Sequence, residues 1–514
     1  MTAQEKTHSS FTSLTRKASV VAGATLISRI LGFVRDLIIA FSLGAGPMAD
    51  AFFVAFRIPN LLRRLFAEGS LTLAFVPVFI KIKNSQGKEH AFALARSVQI
   101  WLLVILGLLT FLALVFAAPL TMLVAPGFRD DPQVFEMTVT LVRICFPYIL
   151  FISSVALCMG ILNSMNHFLA PALAPGLMNV VLIVFALAGY FSGYSVAVSL
   201  SIGVLASGII QLAFQYPFLK KSGFTWLGSF SLKDPGVGRI GKLMLPTVFG
   251  AAVYQLNILA GTILASFLAS GSIAYLYYAD RLVQFPLGVF AVAISTAALP
   301  SLSALAGDQN MTGFKKTFNS SLSLTLFIAL PSTAGLIGLS YPLIEVIFGR
   351  GAFDQQAVEA TSLALVGFAV GLPAFSCVRP LISAFYSLED TVTPMKIAVV
   401  SLVLNVFLGL ILMQHLAHFG LALAASISSW VNVIFLGLAL KRKIGPWMTI
   451  GNNLIKMAVA SLALLFLLKF VSVPSWTAVA LIPVWAFLYI IVAIMIKIPD
   501  VNIVFRAWRR QDRN

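Results

Sequence analysis

The stretch ADAFFVAFRIPNLLRRLFAEG, residues 49–69, decides how the chain reads. It is apolar enough to cross a bilayer as a helix, yet Asp50, Arg57, Arg63, Arg64 and Glu68 all fall inside it. The chain around it has 514 residues, is 59% hydrophobic and only 10% charged, and has a mean hydropathy of +0.97. A soluble chain is about 25% charged. Apolar runs of the length needed to span a hydrocarbon core of ~30 Å recur along the sequence. They lack the short alternating pattern of barrel strands, and lipid leaves no water for unpaired backbone groups. The expected fold is an all-α integral membrane protein.

Working outward, spans are expected near 16–43, 50–80, 97–122, 135–161, 169–190, 196–218, 243–268, 272–303, 318–342, 357–386, 394–413, 419–440, 452–472 and 477–496. That makes about fourteen; twelve or thirteen would result if the last two runs were re-entrant. Residues 1–15 are polar and hold no apolar signal core or cleavage site, so the first helix is expected to act as its own insertion signal. With a cytoplasmic N-terminus, 23 cations fall on inside segments, including Lys81, Lys83, Arg96, Lys220, Lys221, Lys233 and Lys441–Lys443, against Arg129 and Arg350 outside. This split follows the positive-inside rule and places both termini in the cytoplasm. The formal net charge of +17 is then a topology and lipid-contact signal rather than a nucleic-acid footprint.

Motifs for chemistry are sparse. Cys145, Cys158 and Cys377 sit in apolar runs without metal-ligand spacing and read as small core residues. GVGRIG, residues 236–241, matches a dinucleotide fingerprint but follows a polar loop rather than a strand. The five histidines lie outside or at the ends of spans. No nucleophile–base pair stands out, and the chain is read as a non-enzyme.

Ten cations remain at membrane depth: Arg29, Arg35, Arg57, Arg63, Arg64, Arg143, Arg281, Arg379, Lys456 and Lys469. A central charge costs about 2.5–3.5 kcal/mol on insertion scales and faces a cavity or a partner. The two lysines lie near span ends and can snorkel. Asp50, Arg57, Arg64 and Glu68 form one helical stripe of alternating sign, which a self-compensating structural face explains. Arg63 points away from that stripe. Arg29, Arg35, Arg63 and Arg281 have uncharged residues three and four positions away on their own helices, although Asp36 lies two turns from Arg29 and Asp280 adjoins Arg281. Their partners are expected on other helices, in water, or on an anionic ligand, for which the guanidinium fork suits phosphate or carboxylate. Interhelical ion pairs alone are the plainer alternative. Gly32 and Pro59 nearby permit bends.

The chain also repeats loosely after about 224 residues. Residues 51–79 align with 276–303, matching Phe53 with Tyr277, Arg57 with Arg281 and Pro77 with Pro300, and residues 161–173 echo 384–396. Two six-helix halves plus two C-terminal helices follow, and transporters often place sites between such repeats.

SRILGFVRD (28–36), residues 49–69, FPYILFI (146–152), ILNSMNHFLAPALAP (161–175) and YYADRLVQFPLGV (277–289) resemble the MurJ/MviN family over essentially the whole chain. Its members are bacterial lipid II flippases of the multidrug/oligosaccharidyl-lipid/polysaccharide exporter superfamily. The resemblance implies two six-helix lobes around a central cavity, alternating access, and outward movement of lipid II across the cytoplasmic (inner) membrane for peptidoglycan synthesis. It implies substrate-binding arginines at Arg29, Arg35, Arg63 and Arg281, and gating or supporting charges at Asp36 and Asp50, to which Glu68, Arg64 and Asp280 are added from the residues. It implies a lipid-tail groove in the last two helices. Coupling through Na+, H+ or the membrane potential is left open; Asp390 is a lone candidate sodium ligand, and no other cofactor is expected. Expected partners are lipid II, membrane lipids and cell-wall synthesis proteins, with no nucleic acid. The domain reading is 1–15 cytoplasmic, 16–218 first lobe, 219–242 cytoplasmic linker, 243–440 second lobe, 441–497 the groove pair and 498–514 a basic tail. Rivals are a flippase for another undecaprenyl-linked glycan, a multidrug or cation exporter, which would call for acidic cavity residues, and a scaffold that recruits cell-wall enzymes.

Overall fold

Apolar runs bounded by prolines, glycines and short polar caps fold into helices, and the capping chemistry sets their ends. Pro132 opens one helix with the Asp131 carboxylate accepting from the Gln133 and Val134 N–H groups, and Asp354 caps another through Ala357 N–H. Gly193 and Gly445, at φ 72° and 75°, stop two helices where a side chain would be strained. The computed structural model describes residues 3–448, 451–470 and 473–501, with the side chains of 3–20, 66–69 and 249–251 excepted. Among the described residues there is no strand.

The chain divides into two compact units, residues 1–255 and 256–514. The first contains α1 (Ala3–Leu43), α2 (Pro47–Leu62), α3 (Thr72–Gln86), α4 (Lys88–Val115), α5 (Ala117–Val124), α6 (Pro132–Cys145), α7 (Tyr148–Ser164), α8 (Leu169–Ser192), α9 (Val196–Lys221) and the start of α10 (Pro235–Ala265). The second contains the rest of α10, α11 (Ser272–Pro286), α12 (Val292–Gly307), α13 (Met311–Gly338), α14 (Ser340–Phe348), α15 (Gln355–Ala369), α16 (Leu372–Ser387), α17 (Val392–Ile444), α18 (Gly451–Phe470), α19 (Ser475–Ala480) and α20 (Ile482–Met495). The described residues of the fourteen expected spans lie mostly on helix, with short breaks inside some of them. Among the described residues, eight helices are long and apolar enough to cross a membrane, or up to ten if each bent pair is one span. α17 covers two expected spans and breaks at Ala417 (φ 48°, ψ −133°).

In the first unit α1 packs on α8, α8 on α9, α7 on α9, and α3 on both α4 and α7. Glycines allow the close approaches that lipid-embedded helices need in place of a hydrophobic driving force. A Cβ on Gly208 would meet Phe151 and Tyr148 at 2.9 Å, and one on Gly203 would meet Phe185 at 2.8 Å. An apolar core of Phe75, Phe79, Phe92, Leu157 and Cys158 also takes in Phe224 and Ile240. The segment read as a linker is thus folded onto the first unit. Cys145, Cys158 and Cys377 are buried and free.

The repeat has structural landmarks. A π-helical segment opens at Arg63 (Arg63–Leu71) and another at Leu287 (Leu287–Ala291), 224 residues later. The break between Cys145 and Tyr148 returns between Ala369 and Leu372 at the same interval. Asn166 and Glu389, both non-glycine residues at positive φ, recur 223 residues apart.

One reading needs correction. Arg96, taken as a loop cation, is only 5% exposed, and its guanidinium donates to the carbonyls of Ser229 (2.8 Å) and Thr225 (3.1 Å). The basic tail is described only to Val501, and its first residues are packed: Asp500 is buried and accepts from Ser323 at 2.8 Å.

Gly208→Val should lower the thermal stability of the detergent-purified chain by about 1–3 kcal/mol through overpacking. Gly107→Ala, where a Cβ has nothing within 4 Å, should leave the melting temperature unchanged or slightly raised.

Candidate functional site

α1 carries three of the singled-out charges. Arg35 and Asp36 are adjacent, a spacing that turns side chains about 100° apart on a helix, but the guanidinium wraps around. Its Nε and NH2 donate to Asp36 Oδ1 at 3.0 and 2.6 Å. Arg35 therefore has an ion-pair partner next door, which a search three and four residues away overlooks. Its NH1 reaches across to α8 and donates to Asn179 Oδ1 at 2.9 Å. The Asn179 amide N–H in turn donates to the Ser28 carbonyl of α1 at 2.9 Å. The Arg35 and Asp36 side chains are 13% and 5% exposed, so the pair is shielded from water.

Gly32 sits opposite Asn179, whose amide nitrogen would lie 3.4 Å from a Cβ there. α1 runs through Gly32 without interruption, so this glycine admits Asn179 rather than breaking the helix. The break forecast near Pro59 occurs four residues on. Pro59 removes a ladder hydrogen bond, and the π segment begins at Arg63. Such segments recur at functional sites. Arg63 donates through Nε and NH2 to Asn60 Oδ1 at 3.1 and 2.8 Å. Arg35, Arg64 and Tyr148 lie close enough to act on it electrostatically, and Tyr148 is buried with its hydroxyl against Met178 Sδ at 3.5 Å.

Within the first unit, then, Arg63 is within electrostatic range of Arg35 and of the half-buried Arg64. Arg29 is exposed on α1. Asp50 is buried in the first turn of α2, where the helix N-terminus favours an anion. The side chain of Glu68 lies outside the described residues. The π segment shifts the helical phase past Arg63, so 3.6-residue periodicity does not carry the expected stripe unchanged from Asp50 and Arg57 to Arg64 and Glu68. Arg143 and Arg379 are exposed on α6 and α16. Lys456 reaches the Lys497 carbonyl at 3.5 Å, as a span-end lysine can.

In the second unit Arg281 NH2 donates to the Tyr277 hydroxyl at 2.9 Å, and its guanidinium lies 4.5 Å over the Tyr277 ring. Asp280 Oδ2 accepts from Gln284 Nε2 at 2.5 Å. Reading charges alone missed Asn60, Asn179, Tyr277 and Gln284. Asn179 had a signal: it is a lone amide within an apolar run, and such groups must find a partner in lipid.

Asp390, outside the spans, meets a different fate from a metal ligand. Its Oδ1 accepts from Thr393 N–H at 2.9 Å, and its Oδ2 accepts from the Thr393 hydroxyl at 2.8 Å and Lys443 Nζ at 2.9 Å. A hard cation needs several oxygens, and Lys443 already holds the position, so these residues do not fit sodium. Partial burial pushes the Asp390 carboxyl up, but the Thr393 N–H, Lys443 and the Thr393 hydroxyl outweigh it and hold it at about 2. Among the described residues no group of three His, Cys, Asp or Glu is placed to hold a metal. GVGRIG lies in the opening turns of α10, after an irregular loop.

A family model described as the lipid II flippase MurJ matches residues 39–495. The chain belongs to that family. A probable lipid II flippase MurJ from Buchnera aphidicola subsp. Schizaphis graminum is 37% identical over 460 residues, covering 88% of this chain and 89% of that protein. One from Vibrio cholerae serotype O1 is 38% identical over 432 residues, 82% of each. A solved structure of a lipid II flippase MurJ in an inward closed conformation matches with a TM-score of 0.80 and 28% identity over 93% of this chain and 98% of that one. An inward-facing multidrug resistance transporter of the MATE family and MOP superfamily shares the fold, with a TM-score of 0.70 at 16% identity over 83% of this chain and 98% of that one. Within the MurJ family fold, the Arg35–Asp36–Asn179 network ties α1 to α8, and Arg63 opens the π segment.

Two outcomes check this geometry. Asn179→Ala should cost about 1–3 kcal/mol of thermal stability by stranding polar groups on α1; an unchanged melt would sink the network. The Asp390 carboxyl is depressed below an unfolded value of about 3.9, so its stabilisation is complete above that pH and lost as pH falls toward about 2. The melting-temperature gap between the parent and Asp390→Asn should therefore stay constant from neutral pH to about pH 5 and close in stronger acid.

Proposed function

We propose that this chain is a flippase that moves lipid II from the inner to the outer leaflet of a bacterial cytoplasmic membrane, by alternating access and without making or breaking bonds. Family membership across residues 39–495 carries the reading, together with relatives named as probable lipid II flippases. The charge distribution supports cytoplasmic termini.

The chemistry follows from the guanidinium groups. A diphosphate offers several anionic oxygens, and arginine binds such groups with paired N–H donors. Arg63 and Arg281 hold an amide oxygen and a phenol in the state described. A charge-assisted bond to phosphate is about twice as strong as a neutral one, so a diphosphate can replace those contacts. Arg35, held by Asp36 and Asn179, is pre-oriented. Arg29 is exposed and adds positive charge on the same helix. The polyprenyl tail stays in lipid. Each net negative charge carried outward across a membrane with an inside-negative potential gains about 2.3 kcal/mol per 100 mV, so the potential drives export to the extent that the arginines leave charge uncancelled.

A flippase for another undecaprenyl-linked glycan would use the same diphosphate contacts. Single Arg35→Ala, Arg63→Ala and Arg281→Ala variants should each lower the lipid II reaching the outer leaflet of depleted cells by about tenfold or more, the loss of one charge-assisted contact. Arg29→Ala should fall in the same direction. Full activity in all four overturns the site, and rescue of a different glycan pathway in place of peptidoglycan synthesis favours the second reading.

A further inference from the structure

The loop between α9 and α10 is built in an unusual way. Its polar backbone is tied down while its large apolar side chains face outward. Arg96, buried on α4, donates to the Ser229 and Thr225 carbonyls. Ser231 N–H donates to Ser97 Oγ at 3.0 Å, and Trp101 Nε1 donates to the Leu232 carbonyl at 3.1 Å. Gly228, at φ 150°, lies so close to Arg96 that a Cβ would sit 2.6 Å from its guanidinium carbon. Phe224 is buried edge-on against Phe92 and Trp226. From this fixed frame Leu227 projects 89% exposed, with Phe230 at 54% and Leu232 at 53%.

The depth of the loop gives those side chains a partner. Arg96 and Trp101 lie eight and thirteen residues into α4, roughly 12 and 20 Å along its axis. α4 has 28 residues, or about 42 Å, so about 12 Å of it projects beyond a ~30 Å core. Its charged residues Lys88, Glu89 and Arg96 gather at its start, so the projection belongs to that end. The loop thus lies where headgroups meet acyl chains, the depth favoured by tryptophans such as Trp101. Exposed Lys220, Lys221, Lys233, Arg239 and Lys242 surround it. Asp234, the one acid within the loop, accepts from Gly236 N–H at 2.7 Å. Trp226 also lines an open apolar depression of about 270 Å³, with Phe151, Leu212 and Tyr216.

We propose that the 222–234 loop is an interfacial anchor that docks the first unit on an anionic lipid leaflet. Leu227 and Phe230 insert among acyl chains, and Lys220, Lys221 and Lys233 meet the headgroup phosphates. Arg96 is the positioning residue that holds the loop at this depth. The anchor does not depend on which lipid-linked substrate is carried.

The test uses the full chain with Leu227→Cys labelled by an environment-sensitive nitrobenzoxadiazole probe, the three native cysteines being buried. It is reconstituted in vesicles of phosphatidylethanolamine with phosphatidylglycerol. The expected result is a blue-shifted emission quenched by lipids carrying a nitroxide high on the acyl chain. Adding Arg96→Ala should return the emission toward that of a water-exposed probe while transport-independent helicity by circular dichroism is kept. Lys220→Gln, Lys221→Gln and Lys233→Gln should each reduce the preference for phosphatidylglycerol over phosphatidylcholine by about fivefold. Aqueous emission without lipid quenching, or a blue shift that appears only when another protein is added, overturns the proposal. Neither readout involves lipid II, so failure here leaves the flippase reading untouched.

Discussion

A polar group inside hydrocarbon has no water to exchange with, and this constraint shapes the rest of the molecule. Helical ladders satisfy the backbone, which is why apolar runs and helices coincide. Charged side chains need the same treatment from other parts of the protein. Arg35 receives it from Asp36 and Asn179, and Asn179 repays the contact to the carbonyl of Ser28. Arg96 receives it from two loop carbonyls. In each case an arginine in the membrane region also becomes a tether, joining α1 to α8 in one instance and α4 to the loop before α10 in the other.

Helix positions were legible because they depend on hydropathy summed over some twenty residues, which no single side chain can mask. Single contacts were not. Arg35 was compared with positions three and four away, the correct neighbours for short side chains on a regular helix, but its long stem lets it reach the adjacent Asp36. Arg96 looked like a loop cation because polar residues precede it; its burial depends on a segment more than a hundred residues later. Asn179 was invisible to a search confined to charge. Asp390 was legible as an unusual acid near a span end, but its commitment to Lys443 joins positions 53 residues apart.

The two units repeat breaks more faithfully than sequence. The π segments and the interruptions between α6 and α7 and between α15 and α16 recur at a common interval, although the residues that create them differ. Pro59 precedes the first π segment by four positions, while Pro286 immediately precedes the second. A repeated backbone irregularity can therefore outlast the side chains that first produced it.

The π segment at Arg63 has a mechanical consequence. A π turn closes its hydrogen-bonded ring with one residue more than an α turn. Moving that surplus residue along the ladder exchanges one backbone hydrogen bond for another and turns each residue it passes by about 100°. α2 and α3 are therefore joined by a swivel: the direction in which a side chain beside the break points can change while the helix keeps its length and its count of backbone bonds.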